Sequence, residues 1–165
     1  MQTICPRGGI GRHKGLKILA ACGVPVRVRP RAPKLKMVKQ ITALEFKELP
    51  FKQGSYLIDV RTPEEWKATG KPDGEAFGLS TYFVSYQLQK NDTILLNPKF
   101  LFEMDKLGLD KSKKFFFICA SGIRSQIVAN IFEKKGFETY NISDGFLGSS
   151  KVYVSSWLAD KLPIK

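Results

Sequence analysis

The chain has 165 residues, 27 of them Lys or Arg against 15 Asp or Glu, a net charge of +12. That length suits one substantial core, and 43% apolar with 25% charged residues is ordinary globular composition, which excludes collagen-like, coiled-coil and disordered classes. No apolar run approaches the ~20 residues that cross a bilayer, an odd three cysteines fit neither a disulfide framework nor a zinc site, and the single histidine, His13, removes most metal sites and most catalytic triads.

Residues 1–36 hold most of the charge, with nine basic residues between Arg7 and Lys36 and no acid. From Met37 onward 18 basic residues face 15 acidic ones, an excess of only +3. An arginine-rich arm that neutralises phosphate is one reading of the first segment. A transit peptide is another, although the segment has no serine and its Gly and Pro spacing spoils an amphipathic helix. A disordered tail is the plain alternative. A fourth reading comes from back-translation: Lys14–Leu19 and Val24–Pro30 admit codons with the inverted repeats AAGGA/TCCTT and GCCGG/CCGGC, and Gly9–Arg12 admits a third match. These resemble the anticodon, T and D arms of a leucine transfer RNA in their proper order. The expectation is therefore a basic segment outside the domain, disordered, with Met37 as the true start and a cytoplasmic location. If residues 1–36 are a genuine transit peptide, the location is an organelle.

Beyond Met37, helices and strands alternate. Thr42 with Glu45 has capping-box spacing, and Leu44, Phe46 and Leu49 give a short amphipathic helix. Tyr56–Val60 is a compact apolar run that suits a buried parallel strand. Thr62, Pro63, Glu64 and Glu65 open a second helix, Lys71–Gly74 is turn chemistry, and Ala76–Ser80 reads as a short strand. Asn97-Pro98 starts a helix over Lys99–Leu107, and Phe115–Ile118 predicts a central strand. Ile127, Val128, Ile131 and Phe132 form one helical face that stops at Gly136. Thr139–Ile142 predicts a further strand and Val154–Lys161 a closing helix. This alternation predicts an α/β domain with a mainly parallel sheet, in which sites form past the carboxyl ends of strands.

Cys119-Ala120-Ser121-Gly122-Ile123-Arg124-Ser125 stands at such an end, between the most apolar strand and a helix. Consecutive loop N–H groups and the positive end of the helix suit an anion. A cysteine there is expected to be present partly as thiolate, the attacking form. With no histidine after His13, a Cys–His mechanism lacks its base, so loop amides, helix dipole and Arg124 must activate the sulfur. The plain alternative is a buried, inert cysteine.

The segment Cys119–Ser125 resembles the C-x-x-G-x-R-S loop of the rhodanese-like sulfurtransferases, and Leu57–Trp66 resembles the family's L-I-D-V-R-x-x-x-E-[WF] motif. Gly136-Phe137, Asp144-Gly145-Phe146 and Trp157 with Leu162-Pro163 are similar to its downstream blocks, so the resemblance spans residues 37–165. It implies a five-stranded, mostly parallel sheet flanked by helices. It implies transfer of a sulfane sulfur through a Cys119 persulfide, with Ala120, Ser121, Gly122, Ile123, Arg124 and Ser125 as the substrate-binding loop and Asp59 and Arg61 as its support. Trp66 is expected in the core, as are at least two of Tyr82, Phe83 and Tyr86. The implied partners are a small donor such as thiosulfate or a persulfide and a thiol or sulfur-carrier acceptor, with no cofactor, metal, nucleic acid or membrane. Ala120 stands where many relatives carry a basic residue, which counts against thiosulfate as preferred donor. The rivals are a non-catalytic rhodanese module for binding or regulation, and a cysteine-dependent phosphatase or arsenate reductase. Phosphatase loops of this kind hold one residue more between cysteine and arginine.

Overall fold

The structure, a computed structural model, describes residues 37–50, 53–90, 93–148 and 155–165. The expectations for residues 1–36, and the Val154 start of the closing helix, lie outside the described residues.

Both short helices begin where capping chemistry predicts. In α1 (Ala43–Glu48) and α2 (Pro63–Thr69), the Thr42 and Thr62 hydroxyls accept from the N–H of Glu45 and Glu65, whose carboxylates accept from the two threonine N–H groups. Five strands form one sheet in the order β1-β7-β6-β2-β3, every pairing parallel: β1 (Lys39–Ile41), β2 (Tyr56–Asp59), β3 (Ser80–Phe83), β6 (Lys114–Ile118) and β7 (Glu138–Ile142). A separate antiparallel hairpin, β4 (Gln87–Lys90) and β5 (Thr93–Leu96), precedes α3 (Phe100–Lys106), and α4 (Ile123–Lys134) joins β6 to β7.

Side chains alternate across the sheet and divide the core in two. Phe115 and Phe117 join Tyr56, Ile58 and Val60 on the face covered by α3 and α4. Phe116 and Ile118 join Leu57, Ile142, Phe46 and Trp157 on the other. Each fully buried aromatic or aliphatic side chain contributes about 1.5–3 kcal/mol, so β6 is the anchor of the fold.

The structure corrects several expectations. Ala76–Ser80 is not a strand: a 3-10 turn over Glu75–Phe77 ends at Gly78, whose φ is +78°, and the strand begins only at Ser80, opposite Tyr56. Among the described residues from 155 onward there is no closing helix, because residues 157–161 form turns that place Trp157 in the core, with its Nε1 donating to the Pro163 carbonyl (2.9 Å), and Lys161 adopts a left-handed φ of +52°. In α4 the buried face is Ser125, Val128, Ala129 and Phe132, which leaves Ile127 exposed. Leu44 is likewise half-exposed. Trp66 is only half-buried, edge-on to Phe83 (5.6 Å between centroids). Tyr82 and Tyr86 are partly buried against the first core face.

Candidate active site

The loop after β6 has its shape fixed by two close backbone approaches. Gly122 has a φ of +83°, and a Cβ there would lie 2.0 Å from the Ser143 carbonyl oxygen. Gly145 has a φ of +69°, and a Cβ there would lie 2.5 Å from the Ala120 oxygen. Only glycine tolerates both the dihedral and the contact. The turn after β7 then pins the loop, since Phe146 N–H donates to the Cys119 carbonyl (2.7 Å) and Leu147 N–H to that of Ala120 (2.9 Å). From β7 itself, the Asn141 amide donates to the Gly122 carbonyl (3.2 Å).

Cys119 is fully buried at the start of this loop, and the Ser125 hydroxyl lies 3.2 Å from its sulfur and 3.1 Å from the Gly122 carbonyl. Loop carbonyls are taken up, but loop donors are not. Among the described residues, nothing accepts from the backbone N–H groups of Ala120, Ser121, Gly122, Ile123, Arg124 and Ser125. These are six consecutive donors leading into the first turn of α4, where the helix carries its partial positive charge.

Two carboxylate–guanidinium pairs flank the loop. Arg61, fully buried, donates through Nε and Nη2 to both oxygens of the buried Asp59 (2.8–3.1 Å), and donates further to the Thr69 hydroxyl and Gly70 carbonyl (2.8 Å each). Its guanidinium stacks on Phe146, 3.7 Å from the ring centroid, so it reaches the residue that pins the Cys119 carbonyl. Burial pushes the Asp59 carboxyl up from its ordinary value, and the Arg61 hydrogen bonds pull against it. On the other flank, Arg124 makes a bidentate pair with Glu65 (2.8 and 2.5 Å). Burial pushes the Glu65 carboxyl up, but hydrogen bonds from Arg124 and the Thr62 N–H outweigh it and hold the group below the usual carboxylate range. The hydrogen bond with Glu65 in turn raises Arg124, against the pull of its burial. A third carboxylate, Asp144, sits buried in the turn beside Gly145, accepting from the Ala43 N–H (2.9 Å) and the Ser155 hydroxyl (3.2 Å).

The residues singled out from sequence thus meet at the carboxyl ends of β2 and β6. Arg61 finds its partners inside the protein, in Asp59, Thr69 and Gly70. Sequence reasoning missed the Glu65–Arg124 bridge and the role of Asp144. Glu65 was legible as a residue that opens α2 and as the glutamate of the Leu57–Trp66 motif, and nothing local in the chain links it to Arg124. Among the described residues no group of three or more His, Cys, Asp and Glu could hold a metal ion, and no helix is long and apolar enough to cross a membrane. The open groove beside Trp66, Phe83 and Leu88 is lined by none of the residues Cys119–Ser125.

Comparisons with known proteins agree with this fold. The family model of the rhodanese-like domain matches residues 42–151. An uncharacterized Rickettsia prowazekii protein is 38% identical over 113 residues, covering 66% of this chain and 81% of the relative. A Bacillus subtilis protein, YtwF, provisionally named a sulfurtransferase, is 30% identical over 115 residues, 67% of this chain and 88% of its own. The crystal structure of Rv0390 from Mycobacterium tuberculosis superposes with a TM-score of 0.65 at 28% identity, covering 79% of this chain and 98% of that one.

Proposed function

This chain belongs to the rhodanese-like domain family, and we propose that it is a sulfurtransferase that carries a sulfane sulfur on Cys119. The observation that supports this most is the run of six unpartnered N–H groups from Ala120 to Ser125, following a buried cysteine and entering a helix. Donors held in place before reaction stabilise charge without reorganising.

In the first half-reaction the Cys119 thiolate attacks the outer sulfur of the donor. With a persulfide R–S–SH, the Cys119 Sγ–S bond forms, the donor S–S bond breaks, and R–S⁻ leaves with the electron pair. With thiosulfate, the same step expels sulfite and leaves the anionic Cys119 persulfide. In the second half-reaction an acceptor thiolate attacks the outer sulfur, taking it as a new persulfide and restoring the Cys119 thiolate. The loop amides would hold the anionic sulfur in both, and the Ser125 hydroxyl is within reach of Sγ. Asp59 and Arg61 would keep the loop in shape through Phe146 and take no part in bond making.

Incubation with a persulfide or thiosulfate, followed by intact-mass measurement, tests the reading. The expected result is a gain of one sulfur atom that is absent in Cys119→Ser. No gain from either donor would return the protein to the non-catalytic binding modules of the family. Turnover of an aryl phosphate would instead favour the phosphatase chemistry that the short loop disfavours.

A further inference from the structure

The β4–β5 hairpin has one guarded edge and one open edge. β4 carries Gln87, Gln89 and Lys90, polar side chains of the kind that blunt an edge strand. β5 carries Thr93, Ile94, Leu95 and Leu96, with no charge, no proline and no bulge in its pairing with β4. Side chains alternate along it, so Ile94 and Leu96 stand on one face while Leu95 joins its cross-strand neighbour Leu88 on the other. These four side chains are between 39% and 62% exposed, so both faces of the hairpin turn apolar groups to solvent.

The backbone leaves a specific set of groups open. The Asn97 N–H donates to the Tyr86 carbonyl (2.9 Å), one step beyond the Gln87–Leu96 pair. Antiparallel ladders alternate, so Leu95 and Thr93 also direct their N–H and C=O groups at β4, and Ile94 and Leu96 direct theirs outward. Among the described residues β5 pairs with no strand but β4. A second β5 laid antiparallel, related by a two-fold axis at Leu95, brings Ile94 of each copy opposite Leu96 of the other. Each of these pairs exchanges both N–H···O bonds, which satisfies every outward group of Thr93–Leu96.

We propose that β5 is a self-association edge: two copies of this chain pair antiparallel through Thr93–Leu96 about a two-fold axis at Leu95, joining two hairpins into one four-stranded sheet. A two-fold contact must be self-complementary. An uncharged strand meets its own copy without like-charge repulsion, and it offers a partner of opposite charge nothing to recognise. Leu88, Ile94, Leu95 and Leu96 present on the order of 100 Å² each, so the contact falls at the small end of specific interfaces, below ~1,200 Å² in total. Such a contact makes a weak, reversible dimer: dilute protein is monomeric, and the fold of one chain does not rest on the pairing.

Sedimentation velocity of the full chain from micromolar to near-millimolar concentration reads the equilibrium, with circular dichroism to confirm that each variant is folded. The unmodified protein is expected to pass from monomer towards dimer across that range. Leu95→Glu sets two carboxylates opposite each other at the axis, and Leu96→Pro removes an outward N–H that β4 does not use, so each should weaken dimerisation by about tenfold or more. On mild oxidation Leu95→Cys should give a disulfide-linked pair in excess of the unmodified chain, because the central residues of this register face each other with Cα atoms about 4.5 Å apart, within disulfide reach. A chain that stays monomeric at every concentration would overturn the proposal. So would a dimer that Leu95→Glu and Leu96→Pro both leave at full strength, since the copies would then meet elsewhere. If Leu96→Pro does not fold, Leu95→Glu and Leu95→Cys decide the matter, and no outcome bears on the chemistry at Cys119.

Discussion

Two apolar runs in this chain, Phe115-Phe116-Phe117-Ile118 and Ile94-Leu95-Leu96, are composed alike and placed in opposite environments. The first is fully buried, whereas Ile94, Leu95 and Leu96 are 62%, 51% and 62% exposed. The difference is one of position in the strand order. β6 lies between β7 and β2 with helices on both faces, while β5 pairs only with β4 in a two-stranded sheet. Hydrophobic side chains supply the driving force, but neighbours decide whether it is used. The cysteine loop is tied to the first run, since Cys119 follows directly on Ile118, whose carbonyl accepts from the Val60 N–H (2.9 Å).

The sharpest way to break this comparison is truncation at each run. Phe116→Ala, which removes a ring packed between Phe46 and Tyr140, is expected to cost about 3–5 kcal/mol in urea unfolding. Next in size is Gly122→Ala. The left-handed dihedral alone costs about 1–3 kcal/mol, and the contact with the Ser143 carbonyl adds to it. The variant should lose persulfide loading at temperatures where circular dichroism still reports a folded chain, and retention of loading would show that the loop does not need this geometry.

A smaller effect lies in the acid limb. Glu65 titrates below its ordinary value in the folded protein, so between the two values the unfolded chain binds more protons than the folded one. Its stabilisation is complete above the usual carboxylate range and is lost as pH falls through the folded value. Glu65→Gln should therefore be destabilised relative to the parent at neutral pH, with the two converging as the solution is acidified. Glu138, held down by hydrogen bonding from Lys39, titrates the same way, so a residual acid limb should survive in the variant. The smallest effect is expected for Leu95→Ala, within about 0.5 kcal/mol of the parent. A cost comparable to that of Phe116→Ala would mean that the hairpin is covered in solution.

Much of the fold was legible because local chemistry and global placement agree. The two capping boxes, the Tyr56–Asp59 and Phe115–Ile118 strands and the helix after Cys119 each announce themselves within a few residues. What was not legible depends on distant partners. Lys39-Gln40-Ile41 is a strand only because β7 lies beside it. The segment around Trp157 has helical spacing, yet the chain turns there to put the indole in the core. At the site, the cysteine loop could be read as a loop, whereas the Glu65–Arg124 pair joins α2 to α4 across many residues and exists only once β2 and β6 are neighbours.

The backbone contact between the cysteine loop and the turn after β7 has a consequence for how this protein tolerates change. Neither Gly122 nor Gly145 has room for even a methyl group, because each faces the other segment's carbonyl at less than contact distance. A saturation scan read by activity should therefore show two narrow positions of intolerance, far apart in the chain, and only one of them in the loop itself. Gly145 would score like a reacting residue while contributing no side chain, and drift at one segment would be constrained by the other. The two stretches should be inherited as a unit, so a loop grafted into another scaffold without its matching turn would arrive without the surface that gives it shape.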